Sequence, residues 1–120
     1  MRYIDGFLLP VPRRKLEAYR KLSSKAGKVW REHGALEYRE CAGDDLGNKW
    51  GVTFPARVRA KSGETVVFSW IVYKSKVHRD RVNKKVMKDP RLAAMMSGDL
   101  PMPFDMKRMA YGGFRVIVDL

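Results

Sequence analysis

The sequence predicts an α+β domain: a four-stranded antiparallel sheet with two main helices on one of its faces. Three observations predict it. Strand-like and helix-like segments alternate in the order strand, helix, strand, strand, helix, strand. The first and third strand segments are apolar on both faces, whereas the second is more polar. At 120 residues the chain is long enough for one such domain and too short for two, so residues 1–120 are read as a single unit. This element order is the split βαβ, or ferredoxin-like, arrangement, in which the first and third strands lie in the middle of the sheet.

The third strand, Glu64–Tyr73, anchors the reading. It is a run of β-branched and aromatic residues after the turn pair Ser62-Gly63. One face carries Val66, Phe68, Trp70 and Val72; the other carries Val67, Ser69, Ile71 and Tyr73. A strand that is apolar on both sides has to be covered on both sides. The chain's own helices cover one face. A second copy of the protein is expected on the other, giving a symmetric homodimer.

The remaining elements follow in order. Residues 3–11 form the first strand, with Tyr3, Asp5, Phe7 and Leu9 on one face and Pro10 and Pro12 ending it. Asp5 among aromatic neighbours needs a partner or a raised pKa, and water or an arginine near the strand end is the simpler solution. From Arg13 to His33, apolar positions at Leu16, Tyr19, Leu22, Ala26, Val29 and Trp30 recur at spacings of three and four, which is an amphipathic helix stopped by Gly34. Ala35–Cys41 alternates as an edge strand, with Leu36, Tyr38 and Glu40 on one face. Residues 43–51 read as loop, and Thr53 caps a short helical turn through Arg59.

Ser75 caps the second main helix, which runs to about Lys88 with His78, Val82 and Val86 on its apolar stripe. Asp89 and Pro90 open a short further helix bearing Leu92, Met95 and Met96. A proline-punctuated loop at 97–105 leads to the last strand, Met109–Leu120, where Gly112-Gly113 suggests a bulge or a close approach.

Composition narrows the functional classes. Hydrophobic residues make up 45% of the chain, which excludes disorder. No apolar run approaches the ~18 residues of a membrane span, and the N-terminus lacks a signal-peptide pattern, so no membrane partner is expected. The single cysteine, Cys41, leaves no intramolecular disulfide and no cysteine-based zinc site. Together these features point to the cytoplasm. No metal or other cofactor is implied.

The net charge is +12, with eight of the 25 basic residues between Arg13 and Arg31 and another eight between Lys74 and Arg91. Such a surface attracts polyanions, but the basic helix faces lack the interleaved aromatics that stack single-stranded bases. Asp44-Asp45 offers too few fixed oxygens for a specific cation site.

Several runs carry a family resemblance. They include Tyr3-Ile4-Asp5-Gly6-Phe7, Glu32-His33-Gly34-Ala35-Leu36-Glu37-Tyr38, Glu64-Thr65-Val66-Val67-Phe68-Ser69-Trp70, Asp89-Pro90-Arg91 and Pro103-Phe104-Asp105-Met106-Lys107-Arg108-Met109. End to end, the chain resembles the YbaA-like family of small bacterial proteins of unknown function, which is similar to the dimeric α+β barrel superfamily. The resemblance implies that fold and dimer, and no established activity. Superfamily members include cofactor-free monooxygenases, haem-handling proteins and sugar-acid isomerases, and fold likeness does not choose among them.

No phosphate loop, nucleophile elbow or zinc-helix motif is present, so whether the protein is an enzyme stays open. The first functional reading is a small-molecule pocket between helices and sheet. In it His33, His78 and Asp105 are candidate acid–base groups, Arg79 and Arg108 candidate anion holders, and Trp70 and Phe104 candidate walls. The second reading is a polyanion (RNA) binding module that uses the basic helix faces. A structural dimer that binds nothing small is the third.

Overall fold

The computed structural model describes residues 1–96 and 102–120. Its elements are β1 (Tyr3–Pro12), α1 (Leu16–Glu32), β2 (Glu37–Ala42), α2 (Phe54–Arg57), β3 (Glu64–Tyr73), α3 (Lys76–Met87), α4 (Pro90–Met96) and β4 (Ala110–Arg115). Tight 3-10 turns at Arg13–Lys15 and Met106–Arg108 lead into α1 and β4. The strands form one sheet in the order β2-β3-β1-β4, every pair antiparallel. This is the predicted ferredoxin-like α+β fold, with the two doubly apolar strands in the middle.

The caps read from sequence hold the helices in place. Thr53 Oγ1 accepts from the Ala56 N–H, and Ser75 Oγ accepts from the His78 N–H at 3.1 Å. Gly34 takes φ +118°, a conformation L side chains rarely adopt, and turns the chain from α1 toward β2.

Strand ends differ from expectation. Pro10 does not terminate β1, which pairs with β3 through Pro12↔Glu64 and ends at Pro12, one residue beyond the expected 3–11. The Arg13 N–H donates to Gly63 O on the β3 side at 2.9 Å, so by alternation the nitrogens of Pro10 and Pro12 face the opposite flank. β4 pairs only with Tyr3–Leu8, so that flank needs no donor there. The last strand stops at Arg115, well short of Leu120. Its register with β1 is unbroken, and the glycine at 113 admits the Tyr3 phenol over it, so the close approach holds and the bulge does not. The 97–101 part of the predicted loop lies outside the described residues.

The register puts Asp5, Phe7, Leu9 and Val11 of β1, Tyr38 and Glu40 of β2, and Val67, Ser69, Ile71 and Tyr73 of β3 on the helix side. The core there forms two clusters. One joins Val29, Ile71, Tyr73, Val82, Val86 and Leu92; the other joins Leu9, Val11, Tyr19 and Val67. Phe7 packs against both. Between them two neighbouring rows cross the sheet, Glu40–Ser69–Phe7–Tyr111 and Tyr38–Ile71–Asp5–Gly113, and these rows carry polar atoms. The apolar layer is therefore interrupted at mid-sheet.

The other sheet face carries Ile4, Leu8, Phe68, Trp70 and Phe114, and among the described residues no helix lies across its centre. Phe68 is 46% exposed and Phe114 63% exposed. The short α2 reaches this side and sets the Phe54 ring 6.3 Å from that of Phe68. Among the described residues no helix is long and apolar enough to cross a membrane.

Candidate functional site

The interruption in the core is a cavity of about 420 Å³ beneath α1, α3 and α4. Most of its wall is apolar, with Leu22 and Trp30 from α1, Leu92 and Met95 from α4, and Phe104 and Met109 from the chain before β4. The Phe104 ring meets that of Tyr19 edge-on at 5.6 Å. Methionine and aromatic walls adapt readily to a bound apolar group.

Polar groups collect at two places on the wall. Glu40 of β2 accepts from the Tyr19 hydroxyl on one oxygen at 2.7 Å and from the Tyr38 hydroxyl on the other at 2.8 Å. Burial raises its pKa, against the lowering effect of hydrogen bonds from Tyr19, Tyr38 and Ser69. The two phenols are pushed above their ordinary value, first by burial and then by the adjacent carboxylate. Among the described residues no cation approaches the Glu40 carboxylate within ion-pair distance.

The second place is Asp5. Arg79 Nη1 donates to it at 2.6 Å while Arg79 Nε donates to Asp80 at 2.8 Å, and the guanidinium carbon sits 4.9 Å from the centre of the Tyr3 ring. Burial raises the Asp5 pKa despite the opposing Arg79 charge. Nearby, Asn83 Oδ1 accepts from Trp30 Nε1 at 3.0 Å and from the Tyr73 hydroxyl at 3.2 Å. Asp5 thus finds the arginine partner that the sequence suggested.

Of the sequence-derived candidates, Arg79 and Phe104 line this cavity and five others do not. His33 Nε2 donates to Asp89 Oδ2 at 2.8 Å, joining the end of α1 to the start of α4. His78 Nδ1 accepts from the Lys74 N–H at 3.0 Å, and its pKa is lowered by burial and by Lys74, Arg81 and Lys85. Asp105 caps the 3-10 turn before β4 and accepts from Arg108 Nε at 3.0 Å. Arg108 spends its two terminal nitrogens on Glu64, at 2.7 and 2.8 Å. Trp70 lies on the far face of the sheet, 5.5 Å ring to ring from Phe68.

Sequence reasoning missed Tyr19, Tyr38 and Glu40 as a group. The available signal was weak but present: alternation put Tyr38 and Glu40 on one face of β2, and Tyr19 stood on the buried stripe of α1. Tyr38 and Glu40 also form the wall between the cavity and an outer groove rimmed by Arg20, Lys28 and Arg31.

Comparison with known proteins agrees with this fold and leaves the chemistry open. The chain is 45% identical over 119 residues to the uncharacterized protein YbaA of Escherichia coli strain K12, covering 99% of both chains, and equally to that of Shigella flexneri. Among solved structures it is similar to Rv0793 from Mycobacterium tuberculosis (TM-score 0.54, 14% identity, 99% and 98% of the two chains). It is also similar to an uncharacterized NIPSNAP domain protein from Burkholderia xenovorans (TM-score 0.54, 12% identity, 95% and 93%). A dimeric ferredoxin-like protein from an uncultured marine organism has the same fold (TM-score 0.52, 11% identity, 100% of both). Residues 2–106 match the family described as "Protein of unknown function (DUF1428)", and with the full-length identity above this shows that the chain belongs to that family.

Proposed function

We propose that the protein is a homodimer that binds a small, largely apolar molecule in the cavity between its helices and sheet. One observation carries the reading: hydroxyl-held Glu40 and the Asp5–Arg79 pair face an otherwise apolar space at the centre of the fold. Burying carboxylates costs stability unless they are partnered, and aliphatic side chains would fill the same volume at no such cost. A few convergent polar groups in a concave apolar site are what a small-molecule pocket requires. In this reading Glu40, Tyr19 and Tyr38 make the polar contacts, Phe104 forms a wall, and Arg79 fixes Asp5.

Polyanion binding is the weaker reading. Part of the positive charge is already held by this chain's own carboxylates, Arg20 by Glu17, Arg79 by Asp5 and Asp80, and Arg91 by Glu32 and Asp89.

The test is native mass spectrometry of gently purified protein, followed by thermal-shift screening with extract metabolites. The expected result is a retained or added mass of a few hundred daltons that is absent from Ala26→Trp, whose side chain enters the cavity. No ligand in either measurement, with Ala26→Trp at least as stable as the parent, would mean that the cavity is only a packing defect.

A further inference from the structure

The charge balance inside the cavity identifies the kind of ligand, given that the cavity is a binding site. Among the described residues three ionisable charges line it: Asp5, Glu40 and Arg79. Asp5 and Arg79 neutralise one another at 2.6 Å, and Arg79 is further occupied by Asp80. No free guanidinium is therefore left to hold an anionic ligand.

Glu40 is different. Among the described residues its carboxylate meets neutral hydroxyl donors alone, Tyr19 and Tyr38 at 2.7 and 2.8 Å with Ser69 beside them. Arg20, Lys28 and Arg31 rim the outer groove behind it, but none of the three pairs with Glu40: Arg20 is bound to Glu17, Arg31 donates to the carbonyl oxygens of Ala35 and Leu36, and Lys28 lies beyond ion-pair distance. An ionised Glu40 is an uncompensated negative charge at the wall of an apolar cavity, flanked by Tyr19 and Tyr38, with the Trp30 ring 6.2 Å from that of Tyr38 on the same wall. A carboxylate among aromatic faces complements an organic cation, through a charge-assisted hydrogen bond and cation–π attraction together.

We propose that the cavity recognises a monocationic amine with an apolar body, its ammonium group bound at Glu40 between Tyr19 and Tyr38. The overall charge of +12 does not oppose this. Exposed surface charges are screened over about 8 Å at physiological salt, whereas the Glu40 carboxylate and the ammonium would meet at contact distance out of bulk water. Burial raises the Glu40 pKa with no cation nearby to offset it, and a bound ammonium group would draw it back down in favour of the carboxylate.

The experiment uses the full chain and three probes of one shape: tryptamine, the neutral 3-ethylindole and the anionic indole-3-propionate, titrated by calorimetry or ligand-observed NMR. Tryptamine should bind the parent at least about ten-fold more tightly than 3-ethylindole, with indole-3-propionate weakest. In Glu40→Gln the tryptamine preference should fall to about one-fold while 3-ethylindole binding is kept. Equal binding of tryptamine and 3-ethylindole by the parent overturns the amine assignment but not the cavity, and needs no variant. Tighter indole-3-propionate binding, or an undiminished tryptamine preference in Glu40→Gln, also overturns it. If none of the three binds at millimolar concentration and the extract screen is also blank, the binding-site reading fails as well.

Discussion

A single glycine near the middle of α1 decides how closely β2 can approach the helix. A Cβ at Gly27 would lie 2.6 Å from the Tyr38 ring, inside any tolerable contact. Replacing an interior helix glycine by alanine is ordinarily worth about 1 kcal/mol in propensity. Overpacking a buried contact costs about 1–3 kcal/mol, so the steric term wins here. Gly27→Ala should lower stability in urea by about 1 kcal/mol and displace Tyr38 from Glu40. In a Tyr38→Ala background the same change should become stabilising, and a double-mutant cycle reads the reversal. Additive effects would show that the ring does not set the spacing.

A second prediction at this scale concerns acid. Paired bonds from Arg108 draw the Glu64 carboxyl from an ordinary 4.5 down to about 2. Its folded pKa is depressed, so the unfolded chain binds the extra proton and stability rises with pH. The contribution is complete above about pH 4.5 and is lost as pH falls from there through about 2. Glu64→Gln should therefore flatten the fall in Tm across that window, while Glu17→Gln, at an exposed pair, should leave it unchanged.

At the scale of elements, the periodic features were legible and the contacts between elements were not. Alternation correctly divided the faces of β1, β2 and β3, and the three–four spacing found α1, because both patterns arise from the geometry of a single segment. Thr53, Ser75 and Asp89 announced their helix starts for the same reason. That Pro10 is tolerated inside β1 depended on where a distant β4 begins, which local rules on proline do not contain, although they placed the strand's end within one residue. The cavity was harder still. Tyr19 lies 21 residues from Glu40, and only the docking of α1 on β2 brings them together. His33, a candidate acid–base group by residue type, sits at an element junction. There Asp89 accepts from His33 and from Arg91 Nε and Nη2, and also from the Arg91 backbone N–H, which fastens the start of α4. Those contacts hold the Asp89 carboxyl well below the usual range. Asp89→Ala should loosen α4 selectively. Native-state hydrogen exchange at Leu92–Met96 should accelerate by an order of magnitude or more, while Val67–Tyr73 of β3 stay protected. Uniform acceleration would instead make Asp89 part of the global core.

At the scale of the whole molecule, the unanswered demand is the second face of the sheet. Ile4, Leu8, Phe68, Trp70 and Phe114 line a broad depression there, and the exposed Ile117 and Val118 follow β4 along the sheet edge. A continuous apolar surface of this kind is costly to leave in water, and two copies packed sheet to sheet would remove it from both chains at once. A stable interface buries about 800 Å² per partner. The free edge of β4, like that of β2 across the sheet, also presents unpaired backbone groups that a neighbouring chain can meet. Sedimentation equilibrium at micromolar concentration should return twice the chain mass. Phe68→Glu with Phe114→Glu should give a monomer, because each pairing would then oppose two charges in an apolar interface. These side chains point away from the cavity, so the monomer should keep its helix-side core and its tryptamine affinity within about three-fold. A parent protein that sediments as a monomer would remove the partner from the sheet face. A charged variant that stays dimeric would move the interface elsewhere on the molecule.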